Sequence, residues 1–139
     1  METLDAYDLA ILQHLQEDGR LTNTELAQRV GLSAAPCWRR VRALEQAGFI
    51  RGYRAEIDRH KIGLGVLAFV RLDAAQIGAA SMRGLEQAIR ERPEIISCHY
   101  ISGTGTFELQ VVAADLEQFS RFAREVLLHL PNVKDMHTS

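Results

Sequence analysis

The side chains best suited to specific chemistry lie in one short stretch, Ser33 to Arg42. Arg39 and Arg42 are three residues apart, so a helix would carry them on one face. A planar guanidinium makes paired hydrogen bonds to a phosphate, or to the two acceptors on the major-groove edge of guanine. Arg40 falls on the flank of the same wheel, where phosphate contact and structural ion pairing are equally open. Trp38, the only tryptophan, offers a flat face to a sugar or a thymine methyl, or else closes the edge of the core. Ser33, Ala35 and Pro36 open the stretch. Small side chains at a helix start let backbone N–H groups approach phosphate, and Ser33 also suits helix capping.

A second group is Ser102, Gly103, Thr104, Gly105 and Thr106. Its glycines either supply positive φ for a hairpin or admit a ligand carboxylate to backbone N–H groups. No catalytic constellation accompanies either group. Cys98 and His99 are sequence neighbours that a strand would point to opposite faces, and no Ser/His/Asp set, paired inward carboxylates or phosphate-cradling loop stands out. Cys37 and Cys98 lack CxxC spacing, which argues against zinc or a disulfide framework. His99 and His137 fall on predicted strands close enough to approach one another, but no acidic or thiol ligand joins them. No enzyme activity, metal or cofactor is expected.

The elements that must position these residues follow from the patterning. The first helix is expected from Asp5, with Leu4, Ile11, Leu12 and Leu15 at helical spacing and Asp18-Gly19 as its end. Thr22 and Glu25 form the reciprocal capping pattern of a second helix with Leu26, Ala27 and Val30 inward. Gly31 marks a left-handed corner, and a third helix runs from Ser33 to about Ala47 with Cys37, Val41 and Leu44 on its inner arc. Two short helices thus meet across a tight turn. Residues 49–57 alternate loosely around Gly52, as a short wing or linking strand would.

Overall net charge is −2, but its distribution is uneven. Residues 33–59 hold six arginines against three acids, whereas the first 32 residues hold six acids against Arg20 and Arg29. Positive charge is therefore concentrated around the third helix, which suits double-stranded DNA. The opening Glu2 and Asp5, without an apolar run, fit a cytoplasmic protein.

The glycines after His60-Lys61 suggest a division into domains 1–58 and 59–139. Strands are expected over Val66 to Leu72, Ile95 to Ser102, Phe107 to Ala113 and from Val133. Helices are expected over Ser81 to Arg92 and from Asp115 through Leu130. The fold class is α+β: a winged helix-turn-helix followed by a ferredoxin-like βαββαβ sandwich. Val66, Ala68, Val70 and Leu72 point to one face of the first strand, while Leu67 and Phe69 give the other face an apolar character too. A second copy is the simplest cover, giving a two-fold homodimer able to read two half-sites.

With LDAYDLAIL ahead of LTNTELAQRVGLSAAPCWRRVRALEQAGFIRGY, and the βαββαβ tail after it, nearly the whole chain resembles the Lrp/AsnC family, the feast/famine regulators. The resemblance implies a sequence-specific transcriptional regulator, dimeric through its C-terminal domains and often octameric. It also implies a small-molecule effector, commonly an amino acid, held near the loop Ser102 to Phe107. Relatives usually carry aspartates in that loop, in a pattern like GDYDY, where this chain has Thr104 and Thr106. An aspartate pairs with an ammonium at full charge and a threonine offers a neutral hydroxyl, so effector type and binding stay open. A ligand-independent architectural DNA-binding protein of the same fold is the alternative. Relatives also continue beyond Ser139, so the final strand is expected to be cut short.

Overall fold

A computed structural model describes residues 3–101 and 103–139. It divides into units Met1–Glu56 and Ile57–Ser139, the first ending at 56 where the glycine-marked break suggests 58.

In the first unit, α1 (Ala6–Glu17) starts from a cap in which Asp5 and Asp8 bond reciprocally. The Asp8 N–H donates to Asp5 Oδ1 at 2.9 Å, and the Asp5 N–H to Asp8 Oδ2 at 3.2 Å. The same device opens α2 (Asn23–Val30), through Thr22 and Glu25. Gly31, at φ 77°, turns the chain into α3 (Ala34–Gln46). Ile11, Leu26, Ala27, Cys37 and Leu44 form the buried core where the three helices meet.

Ser33 occupies the N-cap position of α3, but its side chain makes no cap bond. A capping oxygen accepts from the second or third helical N–H, and the third residue here is Pro36, which has none. Tethering comes instead from the Asn23 side chain, whose Nδ2 donates to the Ala34 carbonyl at 2.8 Å. Residues 51–58 form no strand. An extended segment becomes a strand only against a hydrogen-bonding neighbour, and among the described residues of this chain none pairs with it.

The second unit is a four-stranded antiparallel sheet in the order β2-β3-β1-β4, made by β1 (Val66–Ala74), β2 (Ile95–Ile101), β3 (Thr106–Ala113) and β4 (Val133–Thr138). Helices α4 (Ala79–Arg90) and α5 (Leu116–Glu125) cover one face. Met82, Leu85, Ile89, Phe119 and Phe122 pack there onto Val70, Leu72, Phe107, Leu109 and Val111. The helix α4 begins two residues before the expected Ser81 and stops at Arg90, clear of Pro93. The last helix is shorter than its apolar stripe suggests. It ends at Glu125, a 3₁₀ turn follows over Leu127–His129, and Leu130 is extended at ψ 144°. Pro131 disfavours a helical residue before it, yet Leu127 and Leu130 still reach the core.

On the opposite face, Phe69 is 44% exposed and Leu67 is half-buried. His99, Glu108, Arg71 and His137 form one cross-strand row there. The two histidines occupy opposite edges of the sheet, three strand spacings or about 14 Å apart, and do not approach one another.

Candidate nucleic-acid interface and ligand loop

The inner arc of α3 is anchored by Cys37 and Leu44, both buried, so the rest of the helix is directed by that packing. Ala35, Trp38, Arg39, Arg42, Ala43 and Gln46 are exposed, as the wheel predicts, and Pro36 is half-buried. Trp38 does not close the core. It is 54% exposed, and the Arg42 guanidinium lies over its ring at 5.5 Å from the centroid. That contact holds two flexible side chains on one face and leaves the guanidinium edge open to acceptors.

Arg40 behaves differently from its neighbours. Its Nη1 donates to Asp5 Oδ2 at 2.6 Å and to Asp8 Oδ1 at 3.1 Å, and its guanidinium stands over the Tyr7 ring at 5.2 Å. Of the two courses open to it on the flank of the helix, Arg40 makes the structural ion pair, and the carboxylates of the α1 cap neutralise its charge. The Asp5 carboxyl is held below the usual carboxylate range, first by the Asp8 N–H and then by Arg40, and these carboxylates raise the Arg40 pKa in turn. The Tyr53 hydroxyl donates to Glu45 Oε2 at 3.1 Å, tying the segment after α3 back to that helix.

The second unit carries the glycine loop. Ser102 lies outside the described residues. Gly103 (φ 88°) and Gly105 (φ 70°) both have the positive φ that a hairpin at this place requires, and the Gly105 carbonyl accepts from the Ala74 N–H at 2.8 Å. A Cβ on Gly105 would stand 3.1 Å from Ile77 Cγ1. Thr104 donates its hydroxyl to Thr106 Oγ1 at 3.0 Å, and Thr106 donates to Asp73 Oδ1 at 2.7 Å. Thr106 is 7% exposed and is the cross-strand partner of Asp73. Sequence patterning gives no sign of Asp73, because only the β1–β3 register brings it beside the loop.

Among the described residues, no group of three or more His, Cys, Asp or Glu is gathered to hold a metal ion, and no helix is long and apolar enough to cross a membrane.

A winged helix-turn-helix DNA-binding model matches residues 4–51, and the Lrp/AsnC ligand binding domain model matches residues 67–139. The chain is 42% identical to the leucine-responsive regulatory protein of Rhizobium meliloti over 97% of its own length and 86% of that protein's. The chain belongs to the Lrp/AsnC family. The leucine-responsive regulatory protein of Escherichia coli K12 is 38% identical, with 97% of this chain and 82% of that protein covered. Among solved structures, a Neisseria meningitidis transcriptional regulator in complex with L-Met superposes with a TM-score of 0.91 at 39% identity, over 99% of this chain and 88% of that one. An AsnC family regulator from Agrobacterium tumefaciens gives 0.88 at 31%, over 98% and 88%. This Lrp/AsnC member is a DNA-binding transcriptional regulator whose second domain binds a small ligand.

Proposed function

We propose that Arg39 and Arg42 read the major groove, with Trp38 bracing Arg42 and with Ser33, Ala35 and Pro36 lying along the phosphate backbone. The observation that carries this is the stacked Arg42–Trp38 pair on the exposed face of α3, beside Arg39 and away from the neutralised Arg40. At the start of α3 the first N–H groups lack intrahelical acceptors, and the Ser33 hydroxyl makes no cap, so both are available to a phosphate oxygen. Two copies joined through the open sheet face would present two such helices to a pseudo-palindromic site. The regulator acts in the cytoplasm, and no catalytic role is assigned to it.

The effector assigned to the second domain is an amino acid held at Gly103, Thr104, Gly105 and Thr106. Support comes from the L-Met complex of the Neisseria relative and from the leucine-responsive relatives. The neutral loop threonines favour one other reading, an architectural DNA-binding protein that ignores amino acids.

Fluorescence anisotropy with the DNA upstream of the protein's own coding region, at fixed salt, tests the first assignment. Arg39→Ala and Arg42→Ala are each expected to cost about 1–3 kcal/mol of binding, with sequence preference relaxed. A double variant that binds like the unsubstituted protein refutes it. Melting curves with each of the twenty amino acids separate effector-bound from architectural behaviour, because a ligand of the native state raises Tm.

A further inference from the structure

We propose that Asp73 supplies the carboxylate that receives the ammonium group of the amino-acid effector, an inference that rests on the effector assignment above. The loop itself offers only hydroxyls and backbone groups, none of which balances a full positive charge. Asp73 belongs to β1, yet it is joined to the loop by a chain of two hydrogen bonds, Thr104 to Thr106 and Thr106 to Asp73 Oδ1. Those bonds orient the carboxylate and occupy one of its oxygens.

The other oxygen, Oδ2, lies 3.8 Å from His137 Nε2, and among the described residues no Lys or Arg pairs with Asp73. The side chain is 32% exposed, so an incoming cation meets an acceptor that is held in place yet reachable. Asp135, its cross-strand partner on β4, adds a second negative charge on the same face. Two carboxylates side by side repel, and an ammonium placed between them relieves that repulsion. An ammonium carries three donors, which Asp73 Oδ2 and neighbouring acceptors can share. Asp73 thus provides from the adjoining strand the charge that Thr104 and Thr106 lack.

Calorimetric titration of the full-length chain tests this, using L-leucine, L-methionine, any other amino acid that raises Tm, and the N-acetyl derivative of each. Asp73→Asn is the informative variant, because its amide oxygen still accepts from Thr106 and the loop keeps its anchor. The unsubstituted protein should bind at least one free amino acid and bind its N-acetyl form at least about tenfold more weakly. Asp73→Asn should lose about tenfold or more for the free amino acid and little for the N-acetyl form, with DNA binding in the absence of effector unchanged. Equal affinity of the unsubstituted protein for free and N-acetylated ligand overturns the proposal without any variant. Full affinity and selectivity in Asp73→Asn also overturn it while leaving the effector assignment intact. Failure of every amino acid to bind the unsubstituted protein removes both.

Discussion

Arg40 and Asp5, thirty-five residues apart, meet at 2.6 Å, so the helix that carries the exposed Arg39 and Arg42 is pinned to the first turn of the helix that supports it. Asp8 accepts from the same Nη1, and the two carboxylates also cap α1. One guanidinium therefore joins the orientation of α3 to the integrity of the α1 cap. Its neighbours Arg39 and Arg42 have no such partner among the described residues.

Replacing Arg40 by alanine is expected to lower Tm by a few degrees and to weaken DNA binding modestly. The slope of log affinity against log salt should not change, because that slope counts phosphate contacts made by the protein. Arg39→Ala or Arg42→Ala should reduce the slope wherever the lost contact is to phosphate. Anisotropy titrations at several salt concentrations distinguish the two classes, and a reduced slope for Arg40→Ala would return Arg40 to the DNA contacts.

The same cluster sets an acid response. Asp5 has a folded-state pKa below its ordinary value of 3.8. Its stabilisation is therefore complete above about pH 4 to 5 and disappears as pH falls through the folded value. Asp5→Asn removes the titration while keeping an acceptor. The Tm difference between the unsubstituted protein and Asp5→Asn should be largest near neutral pH and shrink as pH falls through the lowered folded-state value. A difference that grows in acid contradicts the role given to Asp5.

The two loop glycines should respond unequally to alanine. Gly103 has positive φ but open space where a Cβ would go, so Gly103→Ala should cost about 1 kcal/mol from backbone strain alone. Gly105 also faces Ile77 at 3.1 Å, and Gly105→Ala should cost about 2–3 kcal/mol. Chemical denaturation of the two variants checks the order, and equal costs would mean that Ile77 yields freely.

Phe69 tests the open face of the sheet. It is 44% exposed at the middle of β1, in the central part of the sheet. Phe69→Lys should leave the far-ultraviolet circular dichroism unchanged and shift the sedimentation coefficient from dimer to monomer, with a parallel loss of DNA affinity. Persistence of a dimer would mean that the copies meet elsewhere.

Features held within a few residues of chain are legible in the sequence itself. The Thr22–Glu25 cap, the Gly31 corner, the inner arc of Cys37 and Leu44 and the alternation of β1 each depend on backbone geometry with a fixed short period. The exposed placement of Arg39 and Arg42 follows from that period as well. Local pattern overran where a proline intervened: Pro36 removes one of the two N–H groups from which a Ser33 cap could accept, and Pro131 turns the chain out of the last helix.

Tertiary structure decided the identity of partners. Arg40 fell to Asp5 and Asp8 because α1 crosses beside α3, which no spacing within either helix encodes. Asp73 reached Thr106 through the pairing of two strands, while His99 and His137 were separated by the same sheet order. Residues 51–58 lack a ladder because half the hydrogen bonds of any strand belong to another segment. A residue's own preferences set its local shape, but its electrostatic neighbours are set by which distant surfaces bury their apolar area together.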